Sequence, residues 1–178
     1  IEGNADVGIV FGNANINDVR FTPVDSSVRV VMFTKGYPLE NVYSINPGQL
    51  ADYPCIINSS RDDELFFLWL EKQGIRPNIL CQCDNDLVET NLLSAGLGVS
   101  ISPLSNYLKL TEMNPQLHLE ITLLEEPTVP VSLGYAFRKD YRATPQAKEL
   151  CRILYAFLKD TWKESADYLR RYRSAYDK

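Results

Sequence analysis

Between Pro54 and Ser102, short apolar runs alternate with capped helical segments, and this alternation restricts the fold more than any other feature of the sequence. The apolar runs predict strands at 54–58, 79–83 and 97–102. Strands that alternate with helices of about ten residues, joined by short turns, are typical of βαβ units. The sequence therefore predicts an α/β fold with a mostly parallel sheet.

Both intervening helices have start and stop signals. In the first, Ser59 and Ser60 each precede an acidic residue by three positions, and the helix ends at Gly74. In the second, Asp84 or Asn85 is the predicted cap and Gly96 the stop. The predicted apolar positions are Leu65, Phe66, Trp69 and Leu70 in the first helix, and Leu87, Val88, Leu92 and Ala95 in the second.

Further strands are predicted on both sides of this region, at 5–11, 27–34, 117–124 and 131–138. Thr144-Pro145 opens a last helix, whose predicted apolar positions are Leu150, Ile153, Leu154, Phe157 and Leu158. From 159 to 178 the chain is predicted to stay helical and partly exposed, with Tyr168, Tyr172 and Tyr176 four residues apart. We expect these tyrosines to pack on their own lobe rather than on a partner.

Charge and cysteine usage restrict the function class. The 178 residues include 23 acidic and 18 basic side chains, a net charge of −5 that disfavours DNA binding by this chain alone. Four cysteines in apolar stretches predict reduced thiols in a reducing compartment. Without a secretory leader or a long apolar run, a cytoplasmic location follows. The start at Ile1, without Met, suggests a piece of something longer or a processed product.

No catalytic constellation is present. The single histidine, His118, has no nucleophile beside it, and Cys81 and Cys83 have no second pair with which to hold zinc. Gly96 and Gly98 lie after a helix and before a strand, the wrong order for a phosphate-binding turn. The sequence predicts neither an enzyme nor a metal site nor a cofactor.

Polar residues follow the carboxyl ends of three predicted strands, at 11–15, 58–61 and 83–85. Ligands of open parallel sheets bind at this edge, and Asn and Ser with one Arg suit a small polar or carboxylated ligand. Ser60 and Asp84 are better explained as helix caps, whereas Asn58, Ser59 and Arg61 fit both roles equally. Nearby carboxylates would repel a simple anion unless Arg61 compensates.

Three segments, at 3–10 (GNADVGIV), 30–39 (VVMFTKGYPL) and 92–103 (LLSAGLGVSISP), together resemble the effector-binding region of LysR-type transcriptional regulators. The resemblance implies a two-lobe, type II periplasmic-binding-protein-like fold with a small-molecule effector in the cleft. One lobe would comprise 1–30 and 129–178 and would lack its opening part. The other would comprise 31–128.

The resemblance also implies site residues and partners. DNA binding would belong to an N-terminal helix-turn-helix outside this chain, and paired half-sites imply a homodimer or homotetramer. The effector would be a small carboxylate, an amino acid or a related metabolite. With Arg61 added from the strand-edge argument, the expected effector-binding residues are Phe11, Gly12, Asn13, Thr34, Asn58, Ser59, Ser60, Arg61, Cys83 and Asp84.

Two other function classes stay open from the residues. A solute-binding protein of the same fold would serve transport, but it would need a leader or anchor, and free cysteines disfavour that compartment. An enzyme on a related scaffold is disfavoured because no metal or cofactor motif accompanies His118.

Overall fold

The computed structural model describes residues 6–11, 19–59, 61–125 and 131–176, with backbone only at 11, 25, 61–63 and 160–162. The chain divides into two compact units. Unit 1 contains the described residues of Ile1–Ser27 and Pro130–Lys178, and unit 2 those of Val28–Val129.

Nine strands, four α-helices and one 3-10 helix make up the described part. In chain order they are β1 (Gly8–Phe11), β2 (Val19–Ser27), β3 (Arg29–Thr34), β4 (Ser44–Ile45), the 3-10 helix (Pro47–Asp52), β5 (Pro54–Asn58), α1 (Arg61–Lys72), β6 (Asn78–Cys83), α2 (Asp86–Ser94), β7 (Ser100–Pro103), α3 (Leu104–Met113), β8 (Leu119–Leu124), β9 (Val131–Arg138) and α4 (Pro145–Tyr176).

Unit 1 contains a three-stranded sheet with β9 in the middle and α4 packed against β2. Both β1 and β2 run antiparallel to β9. Most of β2 was not predicted, because Pro23 interrupts its pattern. The strand accommodates this proline because β2 is an edge strand and a bulge separates Pro23 from Asp25.

Unit 2 contains a four-stranded sheet in the order β4-β8-β3-β7. Its central strand β3 is buried from Arg29 to Phe33 because β-branched and apolar side chains fill both faces. Strands β5 and β6 form a parallel pair, and a parallel bridge between Cys55 and Val99 continues this pairing toward β7. The core between these strands and α1 includes Phe33, Leu50, Phe66, Leu70 and Ile101.

Glycines end both predicted helices, and Gly98 permits a close backbone approach in unit 2. Gly74 and Gly96 have φ angles of +75° and +70°, the left-handed conformation expected of helix stops. A Cβ on Gly98 would lie 2.3 Å from the Pro54 carbonyl oxygen, so only glycine permits the backbone contact that pairs Val99 with Cys55.

The predicted α/β class is confirmed, but the expectation of mostly parallel strands is wrong for the described ladders. Strand β3 runs antiparallel to both β7 and β8, as β9 does to β1 and β2. Parallel pairing is confined to β4–β8, β5–β6 and the Cys55–Val99 bridge. A helical crossover imposes parallel direction only on the strands it joins, and in the described part of the chain no single helix joins β3 to β7 or β8, or β9 to β1 or β2.

The apolar positions predicted for α2 and α4 coincide only in part with the buried ones. In α2 the buried residues are Glu89, Thr90 and Leu93, whereas Leu87 and Val88 are exposed. In α4 the predicted Leu158 is buried, together with Ala147, Cys151 and Ser165, whereas the predicted Leu150, Ile153 and Phe157 are exposed. Within the described residues, no helix is long and apolar enough to cross a membrane.

Candidate functional site

The carboxyl ends of β5 and β6 bring two predicted site residues together. Asn58 and Cys83 are register partners in this parallel pair, and the Ser59 N–H donates a 2.7 Å hydrogen bond to the Cys83 carbonyl oxygen. Ser59 is exposed, and Asn58 is half-buried. The expected proximity of the residues that follow these two strands is therefore confirmed.

The Asn58 side chain is held by two carboxylates from the first turn of α2. Its Nδ2 donates to Asp86 Oδ1 at 2.8 Å and to Glu89 Oε2 at 2.9 Å. The other Glu89 oxygen, Oε1, accepts a hydrogen bond from the Ser100 hydroxyl. We call Asn58, Asp86, Glu89 and Ser100 the polar cluster. Because an ionised carboxylate only accepts hydrogen bonds, these contacts fix which end of the Asn58 amide faces α2.

Sequence reasoning missed Glu89 and Ser100, although both are buried, with 6% and 1% of their surface exposed. Two signals were available. Asp86, Glu89, Thr90 and Leu93 share one helix face at the spacing i, i+3, i+4 and i+7, and Ser100 is a polar residue within the predicted strand 97–102. Burial of Glu89 is tolerated because both of its carboxylate oxygens have hydrogen-bond donors.

Burial raises the pKa of the Cys83 thiol, and the nearby Glu89 carboxylate raises it further. Cys81 and Asp84 contribute in the same direction, whereas the Asn85 backbone N–H lowers it. The thiol also lies 3.6 Å from the Ile57 carbonyl oxygen, to which it donates. Cys83 is therefore a protonated thiol at neutral pH rather than a nucleophile.

The cap of α2 is Asn85, whose Oδ1 accepts a 2.8 Å hydrogen bond from the Leu87 N–H. Asp84 was one of two predicted caps, and it is instead an exposed residue of the turn before Asn85. Because Asp84 does not cap α2, its exposed carboxylate is available to a ligand or to water.

Of the other predicted site residues, Thr34 lies at another part of unit 2, Phe11 belongs to unit 1, and the rest have side chains outside the described atoms. Thr34 ends β3, and its methyl group lies 3.6 Å from the position that a Cβ on Gly96 would occupy, at the far end of α2. Phe11 ends β1 in unit 1, and its side chain is outside the described atoms. The same holds for the Arg61 side chain, and Gly12, Asn13 and Ser60 are outside the described residues altogether.

This edge of unit 2 is acidic and rich in hydrogen-bond acceptors. Asp84, Asp86 and Glu89 lie around the start of α2, so their own charges already interact with the positive end of the helix dipole. Among the side chains that the structure describes, no lysine or arginine forms an ion pair with these three residues. No group of metal-binding side chains occurs in the described residues either.

The chain belongs to the LysR substrate binding domain family, whose model matches residues 1–159. The family fold is the type II periplasmic-binding-protein-like α/β fold, as the resemblance implied. The chain is thus the effector-binding domain of a LysR-type regulator, and the alternative of a solute-binding protein for transport is not favoured.

Individual relatives agree with this family. The chain is 28% identical over 109 residues to the HTH-type transcriptional regulator AlsR of Bacillus subtilis, covering 59% of this chain and 36% of AlsR. The chain thus spans about a third of that curated relative.

Among solved structures, the effector-binding domain of QuiR in complex with shikimate is 25% identical, with a TM-score of 0.65 over 80% of this chain and 66% of that one. The regulatory domain of Synechocystis CcmR in complex with 2-PG is 15% identical, with a TM-score of 0.70 over 86% of this chain and 74% of that one. At that identity the CcmR likeness supports the fold alone.

Proposed function

We propose that this domain senses a small metabolite and thereby controls DNA binding by a helix-turn-helix segment outside this chain. The observation that carries the proposal is the family match, which covers nearly the whole chain. The shikimate bound to QuiR supports a small polar metabolite as effector. No bond is made or broken in this mechanism. The effector acts by binding one conformation more tightly than another, since equal affinity would shift nothing.

We further propose the two compact units as the two lobes, with lobe boundaries near 30 and 129. The unit boundaries after Ser27 and before Pro130 support this division. The effector site would draw on the residues expected from the resemblance. Support comes from the convergence of Asn58, Ser59 and Cys83 at one strand edge.

The assembly and location are proposals as well. A homodimer or homotetramer fits a regulator that reads paired DNA half-sites. A cytoplasmic location fits the four cysteines, which are all free thiols.

The test uses the complete product of the gene that encodes this chain. Genomic fragments that it binds are recovered, and fluorescence anisotropy then measures their affinity with and without each member of a panel of organic acids, amino acids and shikimate. We expect at least one metabolite to change DNA affinity by about fivefold or more, the usual size of allosteric coupling. A protein that binds no DNA, or whose DNA affinity no metabolite changes, contradicts the proposal.

Matched variants then test the site. Asn58→Ala should weaken the response to the active metabolite at least tenfold. Asn106→Ala removes another side-chain amide of unit 2, which donates to Ser102 Oγ at 2.9 Å, and should leave the response unchanged. Equal effects of the two variants would exclude Asn58 from the effector site.

A further inference from the structure

We infer that the effector meets Asn58 through a hydrogen-bond donor, a hydroxyl or an ammonium group, and that its carboxylate, if it has one, binds elsewhere. The inference rests on the proposed function and names the ligand chemistry of the same site. It follows from the hydrogen bonds that the Asn58 side chain makes within the polar cluster.

Both donors of the Asn58 amide are already committed. A side-chain amide has two N–H donors and one carbonyl acceptor, and the Asn58 donors reach Asp86 at 2.8 Å and Glu89 at 2.9 Å. The reverse orientation would place the Asn58 carbonyl oxygen against two carboxylates. No described residue donates to Asn58 Oδ1, so Asn58 offers a ligand an acceptor.

Glu89 is a positioning residue for this orientation. Its buried carboxylate is itself held by Ser100, which lies on β7, so the contact connects α2, β5 and β7. Turning the amide around would leave one oxygen of Asp86 and one of Glu89 without the Asn58 donor. Buried acceptors without a donor destabilise a protein and are rare. The acceptor is therefore presented in a fixed direction.

The negative charges near Asn58 disfavour a ligand carboxylate beside Asn58 Oδ1. Three carboxylates, those of Asp84, Asp86 and Glu89, lie around the carboxyl ends of β5 and β6. A carboxylate placed beside Asn58 Oδ1 would find neither a donor nor an opposite charge among the described side chains. A hydroxyl or ammonium group satisfies the acceptor, and the ammonium is attracted by the carboxylates as well.

The test compares two uncharged probes with the same carbon skeleton. 2-Propanol donates and accepts hydrogen bonds, whereas acetone only accepts. NMR titrations of the isotope-labelled complete gene product follow the backbone signals of Ser59 and Cys83. We expect 2-propanol to bind at this edge at least about tenfold more tightly than acetone, and sodium acetate to shift these signals no more than sodium chloride does.

The Asp86→Asn/Glu89→Gln double variant should turn the Asn58 amide around. The glutamine introduced at position 89 can still accept from Ser100 through its carbonyl while its amide donates to Asn58 Oδ1, so the Asn58 N–H groups face the ligand instead. We expect acetone to gain at least about tenfold relative to 2-propanol. A wild-type protein that binds acetone or acetate as tightly as 2-propanol, or a probe preference that the folded double variant leaves unchanged, overturns the inference.

A measurement on the unmodified protein covers the case in which the double variant does not fold. Both side-chain amide protons of Asn58 should exchange slowly with solvent, because both are donated to carboxylates. Asn106 donates to one partner, Ser102 Oγ, and should retain one fast proton. Fast exchange at Asn58 contradicts the fixed orientation. These outcomes are independent of DNA binding, so a failure of the proposed regulatory function is distinguishable from a failure of this inference.

Discussion

Replacing Gly98 by alanine should separate β5 from the segment that enters β7. The added Cβ would lie 2.3 Å from the Pro54 carbonyl oxygen, 3.1 Å from its carbonyl carbon and 3.3 Å from its Cβ. Ordinary van der Waals contact begins at 3.4 Å. The two backbones must therefore move apart by 3.4 − 2.3, or about 1 Å, and the obstacle is backbone, which cannot rotate away.

That displacement breaks a pair of backbone hydrogen bonds. The Val99 N–H donates to the Pro54 carbonyl oxygen and the Ile56 N–H to the Val99 carbonyl oxygen, both at 2.8 Å. An increase of about 1 Å takes both beyond hydrogen-bonding distance. At about 0.5 to 1.5 kcal/mol for each bond, the free energy of unfolding of unit 2 should fall by about 1 to 3 kcal/mol.

Urea unfolding followed by tryptophan fluorescence measures this change. Trp69 lies on α1 in unit 2, and its ring stacks on Phe66 with centroids 5.9 Å apart. In a Trp162→Phe background it is the only tryptophan left, so its fluorescence reports unit 2 alone. With a slope of about 2 kcal/mol per molar urea, the midpoint should fall by about 0.5 to 1.5 M.

Gly48→Ala is the control in the same unit, because the atom nearest to its added Cβ is a side-chain atom, Asn46 Oδ1, at 3.1 Å, and a side chain can move aside. Its midpoint should fall by less than that of Gly98→Ala. If Gly98→Ala unfolds at the same urea concentration as Gly48→Ala, the close approach at Pro54 does not limit the residue at position 98, which contradicts the prediction.

Three further predictions concern unit 2. Burial raises the pKa of Cys55 from 9.0 to about 11, so the unfolded chain loses the thiol proton at a lower pH than the folded protein does. The free energy of unfolding should therefore fall by about 2 to 3 kcal/mol between pH 9 and 11. Cys55→Ala should reduce the pH dependence of the urea midpoint in this range, and an unchanged dependence contradicts the raised pKa of Cys55. Asn85→Ala should lower the free energy of unfolding by about 1 kcal/mol, because it removes the cap of α2, whereas Asp84→Ala should lower it by less than about 0.5 kcal/mol. If urea unfolding shows the reverse order, Asp84 is the cap. Glu89→Gln should lower the pKa of Cys83 by removing a neighbouring negative charge. In a background whose sole cysteine is Cys83, the substitution should therefore make alkylation faster at about pH 8. An unchanged or slower rate contradicts this influence of Glu89 on Cys83.

Much of the element pattern could be predicted because it depends on local signals. The strands at 54–58 and 131–138 have the predicted bounds, and Gly74 and Gly96 end their helices as expected. Helix α4 continues through Tyr168, Tyr172 and Tyr176, as predicted, and the ring centroids of successive tyrosines lie 6.1 and 5.1 Å apart. Helix α3 was missed because it follows directly on Pro103 without a side-chain cap.

The candidate site was predicted only in part. The carboxyl ends of adjacent parallel strands meet at one edge, so Asn58 and Cys83 could be placed together from the chain order of the strands. Glu89 could not be found this way, because only the apolar positions of α2, Leu87, Val88, Leu92 and Ala95, were used to describe this helix. That face contains a carboxylate whose partners, Asn58 and Ser100, come from two different strands.

The sequence alone determined the bounds of β5 and β9, the glycine stops of α1 and α2, and which polar residues follow the strands, because periodicity, caps and glycine stops act over a few neighbouring residues. Only the tertiary structure decided the direction of β3 and β9 and which face of α2 is buried. It also decided that Asn58 presents an acceptor. That result depends on Glu89, 31 positions further along the chain, and contacts between residues so far apart in sequence are set by how the elements pack together.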